Sequence, residues 1–286
     1  MRLLKKRRVT RSLGGNLLSA LVLFLLGIFM ALPLVYVISA SLKPFDEIFT
    51  FPPKILVRNP TLDNFTDLFI LCSNSLIPFS RYIFNSLFVT VSATVLHVIF
   101  ASMAAYPLAK NKFPLKNAIF GLVVTCLLFV PQVTATPSYI IMSKLNWINT
   151  YAAQIFPAVG GSMGLFLMKQ FMETLPISLM ESARLEGANE FTIFHRIIMP
   201  NVKPAWLTLI IFVFQGLWNS TSSTVVYDEQ FKTLQIAMTQ FYTGAGIARM
   251  GVTFAALVFL MALPIGLFIV LQSRVIETMA FAGIKE

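Results

Sequence analysis

The chain has 286 residues, 57% of them hydrophobic and only 12% charged, with a positive mean hydropathy and a formal net charge of +10. That many apolar side chains cannot be wrapped into a water-soluble globule of this size, so the solvent is a bilayer. The basic balance does not point to nucleic acid, because its cation cluster directly precedes an apolar stretch and brings no aromatic base-stacking platform.

Cutting the chain at its charged residues leaves six windows long enough to span, and the lack of backbone partners in lipid predicts a helix in each. The first, Ser12 to Leu42, follows Arg2, Lys5, Lys6, Arg7, Arg8 and Arg11 within a basic amino terminus, residues 1–11. It resembles a signal peptide, with small residues at Ser39 to Ser41, but is about twice as long as an apolar core of roughly 7 to 15 residues, so an uncleaved span is the better reading. The next loop, Lys43 to Arg81, balances four cations against Asp46, Glu47, Asp63 and Asp67 and is assigned outside the cell. Tyr82 to Ala109 is the second span, and Lys110, Lys112 and Lys116 behind it mark the inside.

In the third window, Asn117 to Ser143, Pro131 and Pro137 interrupt the helix around Gln132, Thr134 and Thr136. Two readings stand: a proline kink satisfied by neighbouring threonines, or a stretch lining the pathway. The fourth window, Leu145 to Met168, carries Gly160 and Gly164 at a spacing that lets helix backbones approach closely, with Gly161 beside them. Pro204 to Tyr227 is the fifth, where Gln215, Trp218 and Asn219 could bond and stack a sugar, or Trp218 could anchor at the interface. The neutral Tyr227 to Arg249 loop is assigned outside, and Met250 to Ser273 is the sixth span. The expected fold is an all-α integral membrane bundle of six transmembrane helices, one domain over residues 1–286, with both termini in the cytoplasm.

Between spans four and five, residues 174–203 break the apolar pattern with Glu181, Glu186, Glu190, Arg184, Arg196 and Lys203. Pro176 suits a first turn, and Leu179, Ala183 and Gly187 fall on one helix face. Gly187 permits positive φ, Asn189 can cap a second helix, and Phe191, Phe194 and Ile198 form its stripe before Pro200 ends it. The two short helices lie on the cytoplasmic surface, either resting on lipid or docking a protein; their balanced charge favours the protein.

The chain lacks GxxxxGK[ST], HExxH and GxSxG, so no nucleotide, zinc or acyl-transfer site is written in it. Among Asp, Glu, Lys and Arg none falls within the windows, which argues against an ion-coupled carrier, and a lone His97 in span two reads as a satisfied polar residue. Cys72 and Cys126 form no CxxC pair, and the sequons at Asn64 and Asn219 are weak matches.

Glu181, Ala183, Gly187, Ile197 and Pro200 stand in the register of the EAA loop of importer permeases of the ATP-binding-cassette (ABC) superfamily, which this segment resembles; Ser182, Glu186 and Met199 replace the usual alanine, aspartate and leucine. The stretches Pro52 to Phe65 and Phe84 to Thr90, and Lys232-Thr233-Leu234, are similar to the maltose-type carbohydrate-uptake branch. The resemblance implies a half-transporter that pairs with a second, homologous permease subunit as a heterodimer, above two ATPase subunits and below an extracytoplasmic sugar-binding protein. It implies an ATPase-coupling role for Glu181, Ala183, Gly187, Ala188, Phe191, Ile197 and Pro200. No cofactor is bound by this chain on that reading; ATP and Mg belong to the partner ATPases. The outer loop with Thr243, Gly244 and Gly246 would reach toward the binding protein. Ser222 to Lys232 and the closing ETMAFAGIKE resemble permeases for plant cell-wall oligosaccharides, including acidic ones; amino-acid or peptide permeases and an ATPase-independent carrier are the alternatives.

Overall fold

The computed structural model describes residues 13–73, 77–221, 224–245 and 249–282; the expectations for residues 1–11, Gly246 and 283–286 lie outside these. In chain order the helices are α1 (Leu13–Ser41), α2 (Phe45–Ile48), α3 (Asp63–Ser73), α4 (Phe79–Lys110), α5 (Lys116–Cys126), α6 (Pro131–Lys144), α7 (Tyr151–Val159), α8 (Ser162–Glu173), α9 (Ser178–Leu185), α10 (Glu190–Asn201), α11 (Lys203–Trp218), α12 (Leu234–Ala245) and α13 (Met250–Ala282). No strand occurs among the described residues.

Among the described residues, four helical segments are long and apolar enough to cross a membrane: Leu17–Ser41, Phe79–Lys110, Tyr151–Glu173 and Met250–Val270. A fifth is reached if α10 and α11, bent by 77° at Val202, count as one. The third window differs from expectation. Pro131 has no N–H to donate and disfavours a helical residue before it, so α5 stops and Val130 turns extended (φ −74°, ψ 138°). Pro131 then serves as the first turn of α6, where a missing N–H costs nothing. It is therefore a boundary between two helices of about 16 and 21 Å, each shorter than a hydrocarbon core of about 30 Å, and not a kink in one.

The chain forms two compact units, Met1–Ile70 with Ala245–Phe259, and Leu71–Gly244 with Leu260–Glu286. In the first, Tyr36 meets Phe254 edge-on at 5.8 Å, and Phe65 and Phe69 meet Phe259. Buried Asn64 donates to the carbonyls of Ser41 (2.9 Å) and Lys43 (2.7 Å), which caps the end of α1 and removes the sequon nitrogen from solvent. Much of α1 shows bare apolar side chains, Leu17, Phe24 and Met30 each being about two-thirds or more exposed. In water such a face would be untenable; in lipid it is ordinary.

In the second unit α4 is the axis, packed against α7, α8 and α11. The centre of that packing is His97, buried on α4. Its Nδ1 faces two carbonyl oxygens, Ala158 (2.8 Å) and Val159 (3.2 Å), so Nδ1 carries the proton and donates. These are end-of-helix carbonyls at the break between α7 and α8, which explains why the break survives inside an apolar core. Nε2 is buried with no partner, pressed against α8. A Cβ at Gly164 would fall on that nitrogen and one at Gly161 would lie 2.9 Å from Cε1, whereas Gly160 has nothing nearer than 3.9 Å. The close approach expected of Gly160 and Gly164 thus runs through Gly161 and Gly164. It admits an imidazole ring and not a second backbone.

Candidate functional site

The polar segment between α8 and α11 folds as a helical hairpin seated on the end of the second unit. Lys110 Nζ donates to the carbonyls of Glu173 (3.2 Å) and Leu175 (2.5 Å), fixing where the chain leaves α8. Pro176 leads a tight turn into α9, whose buried side chains are Met180 and Ala183. The expected face of Leu179, Ala183 and Gly187 does not form, because Leu179 is 43% exposed and the inward residues stand three apart. At the end of α9, Ala188 N–H donates to Ala183 (3.0 Å) and Gly187 N–H to Arg184 (3.0 Å), the hydrogen-bond pair of a Schellman cap. That cap needs a left-handed residue, and Gly187 has φ +83° with no atom within 4 Å of where a Cβ would stand. Its role is conformational.

Asn189 accepts from Thr192 N–H (2.8 Å) and caps α10, as its position predicts. Within α10 the turn over Ile193–Ile198 is widened to a π-helix. Five-residue spacing brings Ile193 and Ile198, both fully buried, onto one face and turns Phe191 outward, 73% exposed. The stripe expected at Phe191, Phe194 and Ile198 is therefore corrected to Ile193 and Ile198, with Phe194 and Ile197 partly buried beside them. Pro200 does not end the helix. The carbonyls near it are used instead by side chains, Ile197 by Asn201 Nδ2 (2.7 Å) and Met199 by Trp206 Nε1 (3.1 Å), and the chain bends two residues later.

The hairpin's inner face merges with Val98, Ala101, Ala105, Met168, Met172, Ala205 and Leu209 in one core. Its outer face offers exposed Glu181, Gly187, Pro200, Leu185 (90% exposed) and Phe191, while Ala183 is buried and Ala188 and Ile197 are partly so. One polar link was not legible beforehand: Tyr106 Oη on α4 donates to Glu190 Oε2 (2.7 Å), and Arg184 bonds Glu190 Oε1 from both Nε (3.0 Å) and a terminal nitrogen (2.8 Å). The Tyr106 hydrogen bond, followed by Arg184, holds the Glu190 carboxyl below the ordinary carboxylate range, and Glu190 in turn raises Arg184. With its folded-state pKa lowered, Glu190 contributes fully above its unfolded value, and the contribution is lost as pH falls through the lowered one. Glu190→Gln, which mimics the protonated carboxyl, should lower the melting temperature at neutral pH and leave it nearly unchanged in acid, so that the acid limb of the profile flattens, which a thermal-shift series in detergent measures.

At the other end of the unit, residues 224–234 are bolted to α4 and α7. Asn85 Nδ2 donates to the carbonyls of Gln230 and Lys232 (both 2.8 Å), Tyr82 Oη to Glu229 Oε2 (2.9 Å), and Gln154 Nε2 to the Phe231 carbonyl (3.0 Å). Leu234 N–H donates to Ser86 Oγ (2.6 Å). Asn149, at φ +63°, accepts from the N–H groups of Tyr227 and Asp228. Above this lies an open cavity of about 650 Å³ lined by Ala135, Thr136, Tyr139, Thr224, Val226, Tyr227, Lys232 and Gln240. None of Gln132, Thr134, Gln215 and Asn219 lines it; all four are exposed elsewhere. Trp218 is a further correction, since it is 4% exposed, stacks on Phe214 at 5.8 Å and donates its indole N–H to the Leu260 carbonyl (2.8 Å). Neither its face nor its nitrogen is available to a sugar or an interface.

The described residues thus form an all-helical chain with four, or up to five, helices able to cross a membrane and a capped hairpin between α8 and α11. The chain belongs to the family described as the binding-protein-dependent transport system inner membrane component, whose model matches residues 12–279. It is 29% identical to the arabinooligosaccharides transport system permease protein AraQ of Bacillus subtilis, over 97% of this chain and 96% of that one. It is 31% identical to the melibiose/raffinose/stachyose import permease protein MelC of the same organism, over 70% and 74% respectively. Its fold is similar to a chain in the crystal structure of a bacterial ABC transporter that imports the acidic polysaccharide alginate, with a TM-score of 0.77 and 20% identity over 93% of this chain and 99% of that one.

Proposed function

We propose that this chain is the permease subunit of an ATP-driven importer of saccharides, and that the hairpin of α9 and α10 is where a separate ATPase docks. The observation that carries this reading is the hairpin's two-sidedness. Its inner face is locked into the core of the unit by Met180, Ala183, Ile193 and Ile198, and its outer face presents the exposed apolar side chains Leu185 and Phe191, the latter stacked only on neighbouring His195. A lever must be stiff at its root and adhesive at its tip. The Tyr106, Glu190 and Arg184 link ties that root to α4, so force on the hairpin reaches a membrane-crossing helix directly. Saccharide as cargo is supported by the import roles named for AraQ and MelC.

On this reading α5 and α6 together make the third of six crossings, both termini lie in the cytoplasm, and the whole of residues 1–286 is one permease domain in the cytoplasmic membrane. A second permease subunit, two ATPases carrying ATP and Mg, and an extracytoplasmic sugar-binding protein complete the machine. ATP-driven closure of the ATPases moves the hairpins, and transport follows only if the docked contacts differ between the two states.

Replacing Leu185 and Phe191 together by Asp tests the docking. Neither side chain packs in the chain's own core, so the melting temperature should hold while co-purification of the ATPase falls by at least about tenfold. Undiminished co-purification, or labelling of a cysteine placed at Glu186 only from outside intact cells, would overturn the assignment.

A further inference from the structure

We propose that the outer cavity, through Thr136, Tyr139, Tyr227 and Gln240, contacts a neutral saccharide directly and disfavours uronate sugars. This rests on the import reading above and narrows its cargo. At about 650 Å³ the cavity falls within the range of small-molecule sites, roughly 300 to 1,000 Å³. The Tyr139 and Tyr227 hydroxyls meet at 3.3 Å, Tyr227 Oη donates to the Thr224 carbonyl (2.8 Å), and the two residues are 38% and 57% exposed, so part of each ring and the hydroxyl lone pairs are reachable. Aromatic faces cover the C–H surface of a sugar ring, and phenol, threonine and amide groups both donate to and accept from its hydroxyls.

The charge pattern selects among sugars. Lys232 is the sole cation among the described lining residues, and it is already committed: Nζ lies 2.5 Å from Glu229 Oε1 and 2.8 Å from Gln240 Oε1, with the side chain 8% exposed. The other oxygen of Glu229 is held by Tyr82. Glu229 and Gln240 take two of the three N–H donors of Lys232, so a uronate reaching the third would stand beside the Glu229 carboxylate, two carboxylates facing one buried ammonium. Like charges repel there, and a desolvated anion without its own partner is strongly disfavoured. Deeper in, a cavity of about 230 Å³ shares Ala135 and Thr224 with the first and runs to Pro157 and Leu217, with Ser138, Gln154 and Ser220 in its wall. Among the described residues its lining has no cation, so a carboxylate meets only neutral donors there and no compensating charge.

The test uses the intact transporter complex in nanodiscs without its binding protein, titrated calorimetrically with trisaccharides of galactose, glucose and arabinose and with their uronate counterparts of equal length. At least one neutral sugar should bind about tenfold or more tighter than any uronate. Tyr139→Phe and Tyr227→Phe should each weaken the neutral sugar about fivefold. Glu229→Gln, which releases Lys232, should raise uronate affinity and close the gap. Equal or tighter uronate binding in the unaltered chain, neutral affinity unmoved by both tyrosine changes, or binding of no sugar by a complex that still imports one would each overturn the site. Absence of ATP-dependent uptake altogether would instead sink the import reading.

Discussion

Gly164→Ala should lower the stability of the second unit by about 2 kcal/mol or more, the range for overpacking a core that cannot yield. The added methyl would fall on Nε2 of His97 and within 3.0 Å of two ring carbons. The ring cannot swing away without giving up its hydrogen bonds to Ala158 and Val159, which would leave the Ala158 carbonyl at the α7–α8 break with its backbone partner Gly161 alone. The measurement is a thermal melt by size-exclusion chromatography in detergent. His97→Ala should recover part of the loss when combined with Gly164→Ala, because the methyl then enters the space the ring vacates. Purely additive effects of the two changes would show that ring and glycine are not coupled.

Gly187→Val should leave insertion intact and lower melting only modestly, yet abolish most sugar uptake. The space around Gly187 is open, so the defect is conformational: a β-branched residue at φ +83° is strained by roughly 1 to 3 kcal/mol. The cheapest relief is to unwind the cap between α9 and α10, re-aiming Leu185 and Phe191 relative to each other. Uptake per ATP hydrolysed in proteoliposomes should drop at least about tenfold, with Gly187→Asn milder because asparagine tolerates the left-handed region. Normal uptake by the valine variant would separate the turn from coupling.

Much of this was legible in the chain itself, and the reason is locality. Runs free of charge mark where lipid is tolerated, so the first and second windows appear as α1 and α4 close to their expected bounds, and the sixth as α13, which starts at Met250 as expected and runs nine residues past Ser273. Gly187 and Asn189 act as turn and cap because backbone conformation depends on a few neighbouring residues. The register of Glu181, Gly187 and Pro200 is likewise a short-range pattern, and it pointed to the family whose model matches residues 12–279. Where local rules competed, they misled. An assumed 3.6-residue period put Phe191 inward, and the π turn beside Pro200 reversed it.

Only the tertiary structure decided the rest, because it depends on which distant residues packing brings together. Tyr106 reaches Glu190 across 84 residues, His97 meets the helix break 61 residues on, and Lys232 lies over Asn85 across 147. No spacing rule encodes such pairs; the fit of α4 against α7, α8 and α11 does. The same packing buried Trp218, which composition alone offers as a sugar platform, and raised Tyr139 and Tyr227 in its place. Position along the chain supplied the spans and the hairpin, and close packing in three dimensions assigned each side chain its partner.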